Sequence, residues 1–142
     1  MNLKDELGKQ VNAVHRLLFR ATDGRIGGRI MGMEVVILST TGRKSGARRT
    51  NMLTTPIADD RRVMLVASWG GDDRHPQWFL NLRANPDVEI TRGRTTRPYR
   101  AREATAAERA ELWPQVVQRY RGYGQYQTRT EREIPLVICE PV

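Results

Sequence analysis

Glu34-Val35-Val36-Ile37-Leu38-Ser39-Thr40-Thr41-Gly42-Arg43-Lys44-Ser45-Gly46-Ala47-Arg48-Arg49-Thr50 is the stretch from which the fold can be read. Its first part, Glu34 to Thr40, is a run of β-formers apolar on both faces, the pattern of a central strand. From Thr40 on, eleven residues hold two glycines, a serine, three threonines and four cations. Mobile backbone amides, short hydroxyls and positive charge in one loop suit a phosphate or a carboxylate. Lys44-Ser45 does not complete a nucleotide P-loop, because that motif needs glycine where Leu38 and Arg43 stand. A basic turn whose charges simply face water is the competing reading.

The chain downstream is read in the same terms. Thr50 to Ala58 alternates loosely and predicts a second strand. Asp59-Asp60-Arg61-Arg62 is a turn, and Val63 to Ser68 a third strand, so the pair is expected to form a hairpin. Trp69 to Pro76 reads as a loop. Pro76 opens a short helix carrying Trp78, Phe79 and Leu82, which Asn85-Pro86 ends. Val88–Thr91 and Thr95–Arg102 form a second hairpin across Arg92-Gly93-Arg94. Thr105 with Glu108 three residues on is a capping box, and Leu112, Trp113, Val116, Val117 and Tyr120 continue a helical stripe. Pro114 inside it predicts a kink or two short helices. Arg121 to Tyr126 reads as a loop, and Ile134 to Cys139 as a last strand whose prolines, Pro135 and Pro141, mark an edge or a strand end.

Upstream, Leu3, Leu7, Val11, Val14 and Leu18 predict a helix over residues 3–20, followed by a break at Gly24, Gly27, Gly28 and Gly32. These glycines lack the dinucleotide-binding spacing, and no strand precedes them. The resulting organisation is a single domain overall. Residues 1–33 are expected to form an N-terminal amphipathic helix and glycine-rich lead-in, and residues 34–142 a small antiparallel barrel. The class is mainly β with added helices (α+β), with six antiparallel strands; the parallel β-α-β rhythm is missing.

Composition narrows the function classes. At 142 residues and 39% apolar, the chain can bury a core. It has no window resembling a membrane span and no signal-peptide pattern at its start. One cysteine, Cys139, precludes an intramolecular disulfide and gives a cytoplasmic expectation. His15 and His75 stand far apart without a cysteine neighbour, so no metal is expected. A net charge of +8 attracts polyanions: nucleic acid, an anionic membrane or an anionic small molecule. A nucleic-acid platform needs aromatics among its cations, and Arg43–Arg49 contains none, so nucleic acid is not expected. The basic helix over 3–20 packs on the domain or lies against the inner face of a membrane as a peripheral contact.

Three further stretches carry chemistry. Ser68-Trp69-Gly70-Gly71 at a strand end lets a backbone approach a flat ligand, or is an ordinary glycine turn. Pro76-Gln77-Trp78-Phe79 with Asn81 offers aromatics and an amide, more typical of core than of a cofactor platform. Tyr120, Tyr123 and Tyr126 recur every third residue, as core or as phenols that position a substrate or donate a proton. No triad order, paired-carboxylate motif or Cys-His set supports hydrolysis.

Taken together, Leu38 to Gly46, Val66 to Gly71, Pro76 to Pro86, Tyr123 to Gln127 and Arg132-Glu133-Ile134-Pro135 resemble the deazaflavin-dependent nitroreductase family, the actinobacterial F420-dependent quinone reductases. The resemblance runs through residues 15–142 in order. It implies a split β-barrel related to FMN-binding reductases and the cofactor coenzyme F420, an 8-hydroxy-5-deazaflavin with a phosphate and an oligoglutamate tail. Arg43, Lys44 and Ser45 would hold the phosphate, with Arg49, Thr50 and Asn51 nearby. Met52, Leu53, Val66, Ala67, Ser68 and Trp69 would line the ring, Gly70 and Gly71 would give amide contacts, and Pro76, Gln77, Trp78, Phe79 and Asn81 would close the other side. Trp69, Tyr120, Tyr123 and Tyr126 would meet the substrate, with Ser68 and Tyr123 orienting it or supplying a proton. The implied reaction is hydride transfer to a quinone, nitroaromatic or similar electron-poor acceptor. The bulk of Trp69 is expected to narrow the acceptor site. An F420 carrier without turnover and an FMN-dependent split-barrel oxidoreductase are the alternatives. A homodimer is left open.

Overall fold

The computed structural model describes residues 29–30 and 32–142. The expected helix over 3–20, His15 and the glycines at 24, 27 and 28 lie outside these residues. Seven strands form one antiparallel sheet: β1 (Arg29–Ile30), β2 (Met33–Thr41), β3 (Arg48–Thr55), β4 (Val63–Val66), β5 (Asp87–Arg92), β6 (Thr95–Glu103) and β7 (Leu136–Pro141). Three helices accompany them: α1 (Gln77–Ala84), α2 (Ala106–Arg119) and α3 (Gly122–Thr128), with a 3-10 turn at Trp69–Gly71. Beyond the two-residue β1, six strands run in the order β3-β2-β5-β6-β7-β4, the six-stranded split barrel expected.

Strand β2 is central, as its two-faced apolar pattern predicted. It pairs with β3 along Glu34–Thr41 and with β5 along Val36–Ser39. Its even positions, Val36 and Leu38, enter the main core with Phe79 and Leu82 of α1; Val35 and Ile37 point the other way and pack with Met52. Strands β4 and β7 alternate likewise. Val63, Leu65, Val137 and Cys139 face the main core, while Met64, Val66, Leu136 and Ile138 pack beneath Leu112, Val116 and Tyr123 of α2 and α3. Burial on both faces is why these strands read as unbroken apolar runs.

The expected β3–β4 hairpin does not form. Strand β3 pairs with β2 and β4 with β7. The two meet only at one corner, through the Ala58–Val63 bridge and the Met64 N–H to Ile57 carbonyl bond of 2.9 Å. Thr55 Oγ1 donates to the Met64 carbonyl at 2.6 Å and pins that corner. The strands then part, and the gap is the split of the barrel. Two helix expectations are also corrected, a break at Pro114 and a loop after Tyr120. Helix α2 continues through Pro114, because the proline removes one internal hydrogen bond while Leu112 and Val116 stay buried on the core. Residues 122–128 are helix α3 and not a loop. Its glycines serve contact: a Cβ on Gly122 would lie 2.4 Å from the Tyr120 ring, and one on Gly124 3.2 Å from Val117. Tertiary packing overrides poor helix propensity there.

Candidate functional site

The split between β3 and β4 opens a cavity of about 380 Å³. Asn51, Met52, Leu53 and Thr54 of β3 form one wall. Val66, Ser68, Trp69 and Gly70 form the opposite wall, Tyr120, Tyr123 and Tyr126 one end, and Pro76 and Trp78 the other. A second cavity of about 650 Å³ adjoins it, lined by Gly42, Arg43, Lys44, Ser45, Arg48, Arg49, Thr50, Gln77 and Asn81. Asn51 and Trp78 line both, so the two form one continuous site. One half is mostly apolar and aromatic; the other carries four cations and no carboxylate.

The basic half is built by the β2–β3 turn. The amides of Gly42 and Gly46 are used inside the turn, to the carbonyls of Ala47 and Gly42 at 2.7 and 2.8 Å. The Ala47 amide donates to Ser45 Oγ and the Arg43 amide to Asn81 Oδ1. Four amides of the expected cradle, those of Gly42, Arg43, Gly46 and Ala47, are therefore engaged within the protein. Gly42 suits the turn: a Cβ there would lie 3.0 Å from Ser45 Oγ and 3.1 Å from the Ala47 carbonyl, a tight fit. The Arg43 guanidinium donates to Asn81 Oδ1 and to Gln77 Oε1, both at 2.9 Å. Both acceptors are neutral amides, so they aim the cation without cancelling its charge. Arg48 differs; it pairs with Glu89 at 2.6 Å.

The aromatic half is organised by α3. Tyr123 is buried and its hydroxyl shares a 2.9 Å hydrogen bond with Thr54 Oγ1, joining the helix to β3 across the gap. Burial pushes its phenol up to about 12, against the lowering effect of Thr54. Tyr126 is also raised, by its hydrogen bond with Tyr120 and then by burial. The three tyrosine rings meet edge to face at 5.1–6.4 Å. The Ser68–Asp72 segment opposite them is strained. Trp69 has φ +46°, the one non-glycine with positive φ among the described residues, and Gly70 and Gly71 follow at +62° and +82°. Glycine is needed at position 71, where a Cβ would lie 2.6 Å from the Tyr126 carbonyl.

The structure thus gathers most residues singled out in the sequence. Arg43, Lys44, Ser45, Arg49, Thr50, Gln77 and Asn81 line the basic half; Met52, Leu53, Val66, Ser68, Trp69, Gly70, Pro76 and the three tyrosines line the other. Ala67, Gly71 and Phe79 line neither; they are buried behind the walls, Phe79 against His75 at 4.9 Å. Sequence reading missed Met33, Val35 and Thr54 in the aromatic half; Gly42 and Arg48 of the basic half lay in the loop it singled out but were given no role of their own. Val35 carried a signal, since the outward positions of a strand apolar on both faces must be covered by something. Arg132 was read only as part of a motif. It sits behind the Ser68–Asp72 segment, with bonds to three of its neighbouring carbonyls.

Chemically, the site accepts an elongated ligand with a flat, largely apolar ring system at one end and anionic groups at the other. It contains no cluster of metal-ligating side chains among the described residues.

Comparison with known proteins agrees with this geometry. The family described as F420H(2)-dependent quinone reductase matches residues 12–141. An F420H(2)-dependent quinone reductase of Mycobacterium tuberculosis is 40% identical, over 96% of this chain and 93% of that protein. Among solved structures, an F420-H2 dependent reductase (FDR-A) superposes with a TM-score of 0.67 at 40% identity, covering 75% of this chain and 93% of that one. A second, described as a domain-swapped dimer, gives a TM-score of 0.69 at 35% identity, covering 89% and 96%.

Proposed function

The chain belongs to the F420H(2)-dependent quinone reductase family, and from that premise we propose how its two joined cavities divide the work of an F420-dependent oxidoreductase. Coenzyme F420 is the cofactor, and its reduced deazaflavin supplies the hydride that an electron-poor acceptor such as a quinone takes up. The observation that carries the residue assignment is the sharing of Asn51 and Trp78 between a basic and an aromatic cavity. A ligand bearing both a phosphate and a fused ring needs that juxtaposition.

Arg43, Lys44 and Arg49 hold the phosphate, with Ser45 and Thr50 as hydroxyl donors and Gln77 and Asn81 aiming Arg43. Asn51, Met52, Leu53, Val66, Pro76 and Trp78 enclose the ring and exclude water from one side of it. The acceptor enters on the other side, between Trp69 and Tyr120, Tyr123 and Tyr126. Ser68 and Tyr123 orient it. Tyr123 keeps its proton at neutral pH, so it acts as a hydrogen-bonding group more than as an acid; the proton that completes reduction comes from solvent at the open mouth. Holding cofactor and acceptor in place in this way would be the chain's contribution to rate.

Fluorescence titration with F420 and with FMN, followed by oxidation of reduced F420 by menadione, tests the reading. Tight F420 binding with turnover is expected. Tighter FMN binding would overturn the cofactor assignment, and F420 binding without turnover across a broad acceptor panel would favour a carrier.

Two points of assembly belong to the same proposal. A homodimer is supported by the domain-swapped relative, and light scattering checks it. A cytoplasmic location rests on the single cysteine, Cys139, which is a buried free thiol. No helix among the described residues is long and apolar enough to cross a membrane. A peripheral membrane contact rests on residues 3–20 alone, and vesicle co-sedimentation tests it.

A further inference from the structure

The segment that forms one wall of the aromatic cavity with Ser68, Trp69 and Gly70 runs through three successive residues of positive φ, Trp69, Gly70 and Gly71. Such a conformation costs free energy at a residue with a Cβ and persists only where the surroundings over-determine it. The surroundings here are explicit. Arg132 Nη1 donates to the Ala67 carbonyl at 3.1 Å, Nη2 to the Ser68 carbonyl at 2.8 Å, and Nε to the Asp72 carbonyl at 2.8 Å. Nη1 also meets His75 Nδ1 at 3.1 Å. Within the segment, the Gly71 amide donates to the Ser68 carbonyl and the Asp72 amide to the Trp69 carbonyl. Arg129 Nη1 reaches the Gly70 carbonyl at 3.3 Å. The carbonyls of residues 67 to 70 and 72 are thus all bound.

We propose that Arg132 is a positioning residue that locks this segment from behind, holds Trp69 in its left-handed conformation, and so sets the size of acceptor the site takes. Arg132 lines neither half of the site, so it acts only through the segment it clamps. A planar guanidinium offers five N–H groups in a fixed fork, which suits three carbonyls and an imidazole nitrogen converging on one side chain. Lysine has the charge but not the fork. Trp69, half-exposed and lining the cavity opposite the tyrosines, is aimed by its backbone and not by rotamer choice alone. The inference rests on the acceptor entering beside Trp69, as proposed above.

The test uses the full chain with Arg132→Gln, Arg132→Lys, Trp69→Gly and the double variant Arg132→Gln/Trp69→Gly. The first readout needs no cofactor: hydrogen exchange at the Gly71 and Asp72 amides. Exchange there is expected to accelerate about tenfold or more in Arg132→Gln, as the local opening cost falls, and to be partly restored in Arg132→Lys. The second readout is kinetic, with reduced F420 and either menadione or a quinone carrying a bulkier ring substituent. Arg132→Gln is expected to lower kcat/KM for menadione roughly ten- to a hundredfold, mainly through KM, with F420 affinity unchanged. Trp69→Gly is expected to shift preference toward the bulkier quinone, and to do so far less once Arg132 is Gln, since an unlocked indole no longer defines the pocket. Unchanged exchange at Gly71 and Asp72 would overturn the proposal, as would simple additivity of the two substitutions. If Arg132→Gln fails to fold, Arg132→Lys carries the same comparison. Should the unaltered protein not oxidise reduced F420, the function reading fails, and the exchange experiment still decides whether Arg132 is the lock.

Discussion

Asn81 of α1 fixes Arg43 of the β2–β3 turn: its Oδ1 accepts both the Arg43 amide at 3.2 Å and the Arg43 guanidinium at 2.9 Å. A buried side-chain amide thereby determines where the positive charge of the basic cavity points. Asn81→Ala is expected to weaken F420 binding about tenfold and to cost ~1–2 kcal/mol of stability, since buried groups lose their partner. Asn81→Asp separates aim from charge, because it keeps an acceptor and adds an anion beside Arg43. It should weaken F420 binding at least as much. Affinity unaffected by Asn81→Asp would remove Arg43 from the phosphate site.

Lys44 is exposed and stands in the same cavity. Lys44→Ala should weaken F420 binding about tenfold, the scale of one charge-assisted hydrogen bond, while the thermal midpoint stays put. The dependence of affinity on salt should also flatten. Equal affinities and equal salt slopes would leave Lys44 as a solvated charge.

Trp78 is 5% exposed, meets Phe79 edge to face at 6.4 Å, and lines both cavities. Trp78→Ala should lose ~3–5 kcal/mol of stability and most of the F420 affinity, because one ring serves the core and the site together. Chemical denaturation and cofactor titration measure the two losses. A stable variant with normal affinity contradicts the dual role.

Tyr123 should ionise near 12 in the folded protein, against an ordinary 10. The folded state favours the neutral phenol, so the stabilisation is complete below pH 10 and is lost as pH rises toward 12. Ultraviolet difference titration of the protein and of Tyr123→Phe isolates this group. An ionisation at 10 would mean that the Thr54 contact leaves the ring open to water.

His75 shifts the other way. Burial, then the charges of Arg132 and Arg83, hold its imidazole below the usual 6.5. The folded state prefers neutral histidine, so stability is complete above pH 6.5 and falls as pH drops through the lower folded value. Protonation would also remove the Nδ1 acceptor from Arg132 and set two cations against each other. His75→Gln should lessen the fall in stability between pH 7 and pH 5. Parallel profiles for the two proteins would exclude His75 as the source.

Much of this was legible because the signals are local. The two-faced apolar run at Val35–Leu38 announced a central strand, and the Thr105–Glu108 capping box appears with both of its bonds. Other features escaped because they depend on what lies across the fold. The glycines of α3 read as loop formers, yet each leaves room for a neighbouring side chain. Val35 and Thr54 read as ordinary strand residues, yet they face the gap where β3 and β4 part. Arg132 read only as part of a motif, with nothing to say what it touches.

The sequence by itself determined the family, the order along the chain of the six longer strands and of helices α1 and α2, and the residue types of an anion-and-ring site, because hydrophobic period, turn chemistry and motif spacing are written in consecutive residues. Tertiary structure alone decided that β3 and β4 separate after one corner to pair with β2 and β7, that Asn81 takes the Arg43 amide and aims its guanidinium, and that Arg132 clamps the segment carrying Trp69. Each of these turns on partners far apart in the chain, 65 positions for Arg132 and Ala67, and no local pattern encodes such a pairing.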